Sequence, residues 1–267
     1  MSAQLRARVL GIPDQLGIES ELPSADTVVK VPEIRPGFTA TVVIPAYNEE
    51  EGIPVVLESL FRSVDGQCEV LVVDDGSSDA TSRVASRFRC GVIRHGRNRG
   101  KGEAMKTGIR HARGDSVIFI DADGTYPTDA IPRMTEALES CDAVYCSRAF
   151  GRDNIPRLNQ LGNALFQGIM RHVYRFEACD YATGMYGIKK RHLQKMRLSS
   201  RGFAIEPEIA IKACRMKLNI RDIPIHYQTR IGQTKLSGPS AGFDHLRIMM
   251  KLLLWSPGQR HEWASPE

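Results

Sequence analysis

Residues 117–127 read VIFIDADGTYP, and this stretch decides the fold. Residues 117–120 form a short, continuous apolar run, the pattern of a strand covered on both faces of a parallel sheet. Asp121 and Asp123 follow where such a strand leaves the sheet. Ligands of open α/β sheets bind just outside the carboxyl ends of the strands. Two carboxylates two residues apart can hold a hard divalent cation, which keeps several waters and takes further oxygens from phosphates. Alone, Asp-Gly and Tyr-Pro are equally ordinary turn chemistry. The motif gains its weight from what precedes it.

Two more strand-and-turn units lie upstream: TATVVIPAYNEEEG at 39–52 and EVLVVDDGSSDATS at 69–82. Each apolar run stops at a polar cluster and a helical pattern follows. Ile53, Leu57, Leu60, Phe61 and Val64 keep helical spacing after the first, and Val84, Ala85 and Phe88 after the second. Strands alternating with helices imply βαβ units, a parallel sheet and right-handed crossovers. Asp74, Asp75 and Asp121 are then expected along one rim, where clustered acids repel unless a metal or hydroxyls engage them. Between the second and third units, HGRNRGKGEAMKTGIRHARGD at 95–115 places Arg97, Arg99 and Lys101 among glycines and then opens a helix. Free N–H groups and the helix dipole make such a loop an anion site. Neither the Walker spacing nor the dinucleotide fingerprint is present.

Composition fits this reading. The 267 residues are 42% hydrophobic and 25% charged, as in globular proteins, and suit one domain with appendages. The six cysteines form no C-x-x-C pair and no zinc spacing, and the first residues, MSAQLRARVL, lack an apolar signal core. These features lead us to expect reduced thiols and a cytoplasmic location. No apolar run is long enough to span a bilayer. The net charge of +5 suits phosphate ligands or an anionic membrane surface, and no nucleic-acid-binding motif occurs.

The chain divides into a proline-punctuated N-terminal extension (1–37), a nucleotide half (38–150), an acceptor-side half (151–255) and a polar tail (256–267). Two amphipathic helices are expected in the second half. In 155–175, Leu158, Leu161, Leu165, Ile169 and Val173 form one stripe, opposite Gln160, Asn163, Gln167, Arg171 and Arg175. At the C-terminal end, Phe243, Leu246, Met249, Met250, Leu253 and Leu254 lie opposite Asp244, Arg247 and Lys251. Such helices ordinarily pack on a sheet. An apolar face edged with basic residues and closed by Trp255 also suits a membrane interface.

The ordered set VVIPAYNEEEGI, VLVVDDGSSDAT, NRGKGEAMKTGI and FIDADGTYP resembles the family-2 glycosyltransferases of GT-A fold. Within them it is most similar to the dolichyl-phosphate and polyprenyl-phosphate hexose synthases. The likeness runs from about residue 39 to 252 and includes SRAFG, DYATGMYGIKKRHL, FAIEPEIAIKA and IPIHYQTRIGQTKL. It implies a Rossmann-like α/β fold, with a mostly parallel central sheet flanked by helices and a C-terminal amphipathic helix. It implies inverting transfer of a hexose from a GDP- or UDP-sugar to a lipid phosphate, with Mg²⁺ or Mn²⁺ on Asp121 and Asp123. Arg148, Arg230 and Lys235 carry over as phosphate-side cations. Pro45, Ala46, Tyr47, Glu49 and Asp75 carry over as nucleobase contacts. Asp74, Gly76, Lys101 and Ala122 complete the expected donor site. Arg230 and Lys235 are expected on a mobile loop at 230–238, where Gly232 and Gly238 permit motion. One departure concerns the metal: many mannosyl-transferring relatives carry glutamine where this chain has Thr125, and a hydroxyl is the weaker ligand.

Three alternatives remain open on sequence: a transferase with a soluble hydroxyl or phosphate acceptor, a nucleotidyltransferase, and a non-catalytic nucleotide-binding module. The second should carry a glycine-rich loop with lysine directly after the first strand, which Ala46-Tyr47-Asn48-Glu49 is not. The intact aspartate pair speaks against the third.

Overall fold

The computed structural model describes residues 27–30, 39–64, 66, 68–151, 154, 157–232 and 238–257. The strands are β1 (Thr27–Lys30), β2 (Ala40–Ala46), β3 (Cys68–Asp74), β4 (Gly91–Arg94), β5 (Ser116–Phe119), β6 (Ala143–Phe150), β7 (Tyr186–Lys189) and β8 (Ile220–His226). The helices are α1 (Gly52–Ser63), α2 (Thr81–Ala85), α3 (Lys101–His111), α4 (Ala130–Ser140), α5 (Arg157–Val173), α6 (Lys190–Met196), α7 (Ile205–Arg215) and α8 (Gly238–Lys251).

The strands form one sheet in the order β1-β4-β3-β2-β5-β7-β6-β8. β2 pairs in parallel with both β3 and β5, β3 with β4, and β6 with β8. β1 on β4, and β7 between β5 and β6, run antiparallel. The sheet is therefore mostly parallel, as the alternating pattern implies. β1 lies within the stretch 1–37 read as an N-terminal extension and forms an edge strand of the sheet, paired with β4.

Side chains alternate along each buried strand and feed two apolar layers. Val42, Ile44, Val70, Val72 and Ile118 face α1 and α4, meeting Ile53, Leu57, Leu60, Ile131 and Met134. Val43, Leu71, Val73, Val117 and Phe119 face the other way, toward Met105 and Ile109 of α3 and Ile209 of α7. Each such aliphatic side chain fully buried contributes roughly 1.5–3 kcal/mol. This double coverage explains why the strands read as continuous apolar runs.

The chain leaves β2 toward β3 on one side, while β5 lies on the other, so the order reverses between β2 and β5. The β2–β5 ladder ends at the Val43–Phe119 pair, whereas β2 stays paired with β3 as far as Ala46 and Asp74. Pro45, which has no N–H to donate, falls where the β5 side has already parted. The crevice so opened is the place where ligands of open α/β sheets bind.

Candidate active site

A cavity of about 540 Å³ occupies that crevice. Pro45 and Ala46 line it from the end of β2, Tyr47 and Glu49 just after β2, Asp75 after β3, and Asp121, Ala122 and Asp123 after β5. Lys101 at the start of α3 and Arg230 beyond β8 complete the charged lining.

Asp123 is buried, and its Oδ1 accepts the Thr125 hydroxyl at 2.6 Å and the Thr125 N–H at 3.0 Å. Thr125 therefore orients Asp123, with its hydroxyl spent on that carboxylate. The guanidinium of Arg230 spans the site, with Nη1 2.5 Å from Asp123 Oδ2 and Nη2 2.8 Å from Glu49 Oε1. The Arg230 segment is pinned there, since the Ile231 N–H donates to the Asp123 carbonyl and the Gln228 N–H to that of Thr125.

Lys101 donates to Asp121 Oδ1 at 2.6 Å and to Glu206 Oε1 at 2.5 Å. Burial disfavours its ammonium, but Asp121 and Glu206 outweigh burial and hold its pKa well above the ordinary lysine value. Burial, reinforced by Asp123 and Glu206, pushes the Asp121 carboxyl up to about 6 against the pull of Lys101. Gly184 makes room for this carboxylate: a Cβ there would lie 2.1 Å from Asp121 Oδ2.

The donor set fits a hard divalent cation. Among the described residues, Lys101 bridges Asp121 and Glu206, and Arg230 bridges Asp123 and Glu49. Carboxylate oxygens are the ligands such an ion prefers. Among the described residues no cluster of three or more His, Cys, Asp or Glu side chains is arranged to hold a metal.

Several expected residues lie elsewhere. Asp74, adjacent to Asp75 but opposite in strand parity, is fully buried outside the cavity and bonds Ser77 and Ser82. It builds the turn before α2. Gly76 is also outside the lining; its φ of +73° lets the Arg97 backbone pass where a Cβ would meet it at 2.4 Å. Arg148 stands two strands from β5, and its guanidinium makes a bidentate pair with Asp180 at 2.5 and 2.8 Å. It does not line the cavity. Lys235 lies outside the described residues.

Sequence reading missed Asn98, Phe203 and Glu206. Asn98 and Phe203 line the cavity, and Lys101 sits 5.7 Å from the Phe203 ring centroid. Glu206 left a signal: an acid in the apolar run FAIEPEIAIKA has no obvious reason to be there unless a cation meets it.

The amphipathic helices are turned differently from expectation. On α5, Leu165 and Val173 of the apolar stripe are exposed, while Gln167 from the polar stripe faces inward and bonds Ala178 and Tyr181. On α8, Ile248 and Met249 are buried, while Phe243, Leu246 and Met250 are exposed, as are Leu253 and Leu254 just beyond it. No helix among the described residues is long and apolar enough to cross a membrane.

The sheet order, the crevice and the aspartate pair together define a glycosyltransferase of GT-A fold. The sequence pattern of glycosyl transferase family 2 matches residues 41–197, and the chain belongs to that family. It is similar to a dolichyl-phosphate hexose transferase of Haloferax volcanii, 32% identical over 75% of this chain and 87% of that protein. It is 29% identical to a dolichol-phosphate mannosyltransferase of Pyrococcus furiosus over 80% of this chain, and spans 64% of that longer relative. Among solved structures, the glucosyl-3-phosphoglycerate synthase of Mycobacterium tuberculosis, crystallised with Mn²⁺, UDP and phosphoglyceric acid, superposes with a TM-score of 0.67. That likeness covers 83% of this chain and 81% of the synthase at 22% identity, and concerns the fold.

Proposed function

We propose that this glycosyltransferase moves a hexose from a nucleoside diphosphate sugar to a polyprenyl phosphate, with a divalent cation, at a membrane surface. The observation that carries the donor half is the convergence of Asp121, Asp123, Lys101 and Arg230 on one cavity at the reversal of strand order. The names of relatives that act on dolichyl phosphate support the acceptor half.

Asp121 and Asp123 would hold the cation against the diphosphate, where it supplies Lewis-acid neutralisation of the departing oxygens. Lys101 keeps Asp121 in place, and Thr125 keeps Asp123 in place. Arg230, paired with Asp123 and Glu49, would offer its guanidinium to the diphosphate. An acceptor phosphate oxygen attacks the anomeric carbon as the bond to the diphosphate breaks, which inverts that centre. The phosphate arrives already anionic, so it needs orientation rather than a general base.

Membrane contact is supported by the outward apolar side chains of α8 and the following turn, with Arg247 and Lys251 among them, and by Leu165, Val173 and Arg171 of α5. The two helices meet where the rings of Phe166 and His245 lie edge to face. Apolar insertion flanked by basic residues is the chemistry of an interfacial helix.

The test is incubation with labelled UDP-glucose or GDP-mannose, Mg²⁺ or Mn²⁺, and a short polyprenyl phosphate in detergent. Label is expected in the organic phase, released by mild acid. Transfer to a soluble hydroxyl compound with no labelled lipid would overturn the acceptor assignment. Binding to anionic vesicles, weakened by Phe243→Asp with Leu254→Asp, tests the surface; unchanged binding would exclude it.

A further inference from the structure

The segment between α6 and α7 ends at the cavity. Gly202 and Phe203 line it, and the Phe203 ring centroid lies 5.7 Å from Lys101 Nζ. Just before them, residues 200 and 201 press against the start of α3. The Glu103 N–H donates to the Arg201 carbonyl at 3.1 Å. A Cβ on Gly100 would lie 2.6 Å from the Arg201 carbonyl oxygen, and one on Gly102 would lie 2.5 Å from that of Ser200. Contact this close leaves little slack, so the wall of the cavity follows the backbone of residues 199–201.

Helix α7 supplies the hold on that backbone. Glu208 accepts the Ser199 N–H at 3.0 Å and the Ser200 N–H at 2.7 Å. Where the segment begins, Arg197 takes φ 48° and ψ 62°, a left-handed conformation that a residue with a Cβ disfavours. Lys212 secures both places. Its buried ammonium donates to the Arg197 carbonyl at 3.1 Å and to Glu208 Oε1 at 2.6 Å, and it lies 5.3 Å from the Trp255 ring centroid. Two of its N–H donors are thus spent on this segment and its carboxylate anchor, and an aromatic face meets the charge. Burying an ammonium is costly unless it is paired and hydrogen-bonded. What this one adds is a common anchor for Arg197 and Glu208.

We propose that Lys212 is a positioning residue for the donor cavity: it lies outside the lining and sets where Gly202 and Phe203 stand by anchoring residues 197–200. This rests on the reading of the cavity as the donor site and deepens it by naming a residue of α7 that shapes the site. Without the ammonium, the Arg197 carbonyl loses its donor and Glu208 loses the cation that keeps it ionised. The left-handed turn and the two serine N–H bonds then weaken together. The wall samples more positions, and the need to order it again opposes donor binding.

Titration calorimetry of the full chain with UDP and with GDP, each with Mn²⁺ and well below the melting temperature, tests this, with thermal melts run in parallel. Lys212→Met is expected to weaken whichever nucleotide the unaltered chain binds by roughly five- to ten-fold, through loss of a preorganised wall. Lys212→Arg, which keeps a cation at that place, should recover most of the loss. Trp255→Leu leaves the Lys212–Glu208 pair and removes only the ring, so it should weaken the same nucleotide about two- to five-fold; it decides the question if Lys212→Met does not fold. Variants that melt earlier yet bind as the parent does would show that Lys212 serves stability alone, which would overturn the proposal. Binding of neither nucleotide by the unaltered chain would instead overturn the donor reading on which it rests.

Discussion

Lys101 Nζ stands between two carboxylates, 2.6 Å from Asp121 and 2.5 Å from Glu206. It ties the loop after β5 to the first turn of α7. Removing it leaves two acids facing each other without their shared cation. Lys101→Met is expected to lose charge-assisted bonds of about 1.5–3 kcal/mol, or roughly 10- to 100-fold in Mn²⁺-dependent nucleotide affinity. Calorimetry of the variant checks this, and affinity within two-fold of the parent would show that Lys101 does not organise the site.

Gly184 is needed for what it lacks. A methyl group there would sit 2.1 Å from Asp121 Oδ2, and the Gly184 N–H donates to the Tyr126 hydroxyl at 2.6 Å, so the backbone cannot easily retreat. Asp121 must move instead. Gly184→Ala should keep its circular-dichroism spectrum while hexose transfer falls on the order of 100-fold, since small misplacements at reacting centres cost that much. Full transfer activity would mean that Asp121 tolerates displacement.

Arg230 joins Glu49 to Asp123 across the cavity mouth. A bound diphosphate competes for this guanidinium, and binding-coupled closure is common where water must be excluded. Hydrogen exchange at residues 230–232 is expected to slow on addition of nucleotide sugar and metal. Identical exchange with and without donor would rule out a loop that responds to it.

Glu208 gives a pH signature away from the donor cavity. It is fully buried and accepts the N–H and hydroxyl of Ser199, the N–H of Ser200 and the Lys212 ammonium at 2.6 Å. Burial opposes its charge, but Lys212 and the Ser200 donors outweigh burial and hold its carboxyl below the ordinary range. A depressed folded-state pKa stabilises the fold above the unfolded value, about 4.3 for glutamate, and that contribution vanishes as pH falls through the folded value. Glu208→Gln should be destabilised at pH 7 by about 3–5 kcal/mol, the cost of breaking a buried pair. Its deficit against the parent should shrink as the pH drops below that range. Thermal melts at several pH values measure it, and a deficit constant with pH would assign the loss to packing alone.

Much of the fold was legible because the β2, β3 and β5 strands are buried on both faces. Their continuous apolar runs and abrupt polar ends mark a parallel sheet and its ligand-bearing rim. The aspartate pair and Lys101 were legible for the same reason, since they sit where those strands and α3 meet the crevice. What sequence left hidden depends on three-dimensional partners. Asp74 and Asp75 are adjacent and identical, and only strand parity with the loops above decides that one builds a turn and the other lines the cavity. Arg148 reads as a free cation until Asp180, 32 positions later, is seen beside it. Helix α5 carries clear periodicity, but Gln167 of its polar stripe turns inward because backbone partners meet it there.

Asp121 and Asp123 are proposed as the metal and diphosphate centre of this glycosyltransferase. Anomalous diffraction at the manganese edge from crystals grown with MnCl₂ and UDP tests it most directly. The expected result is one strong peak between the two carboxylates, against the diphosphate, with Arg230 turned from Asp123 toward the phosphates. A manganese peak elsewhere, or a diphosphate bound away from both aspartates, would contradict it.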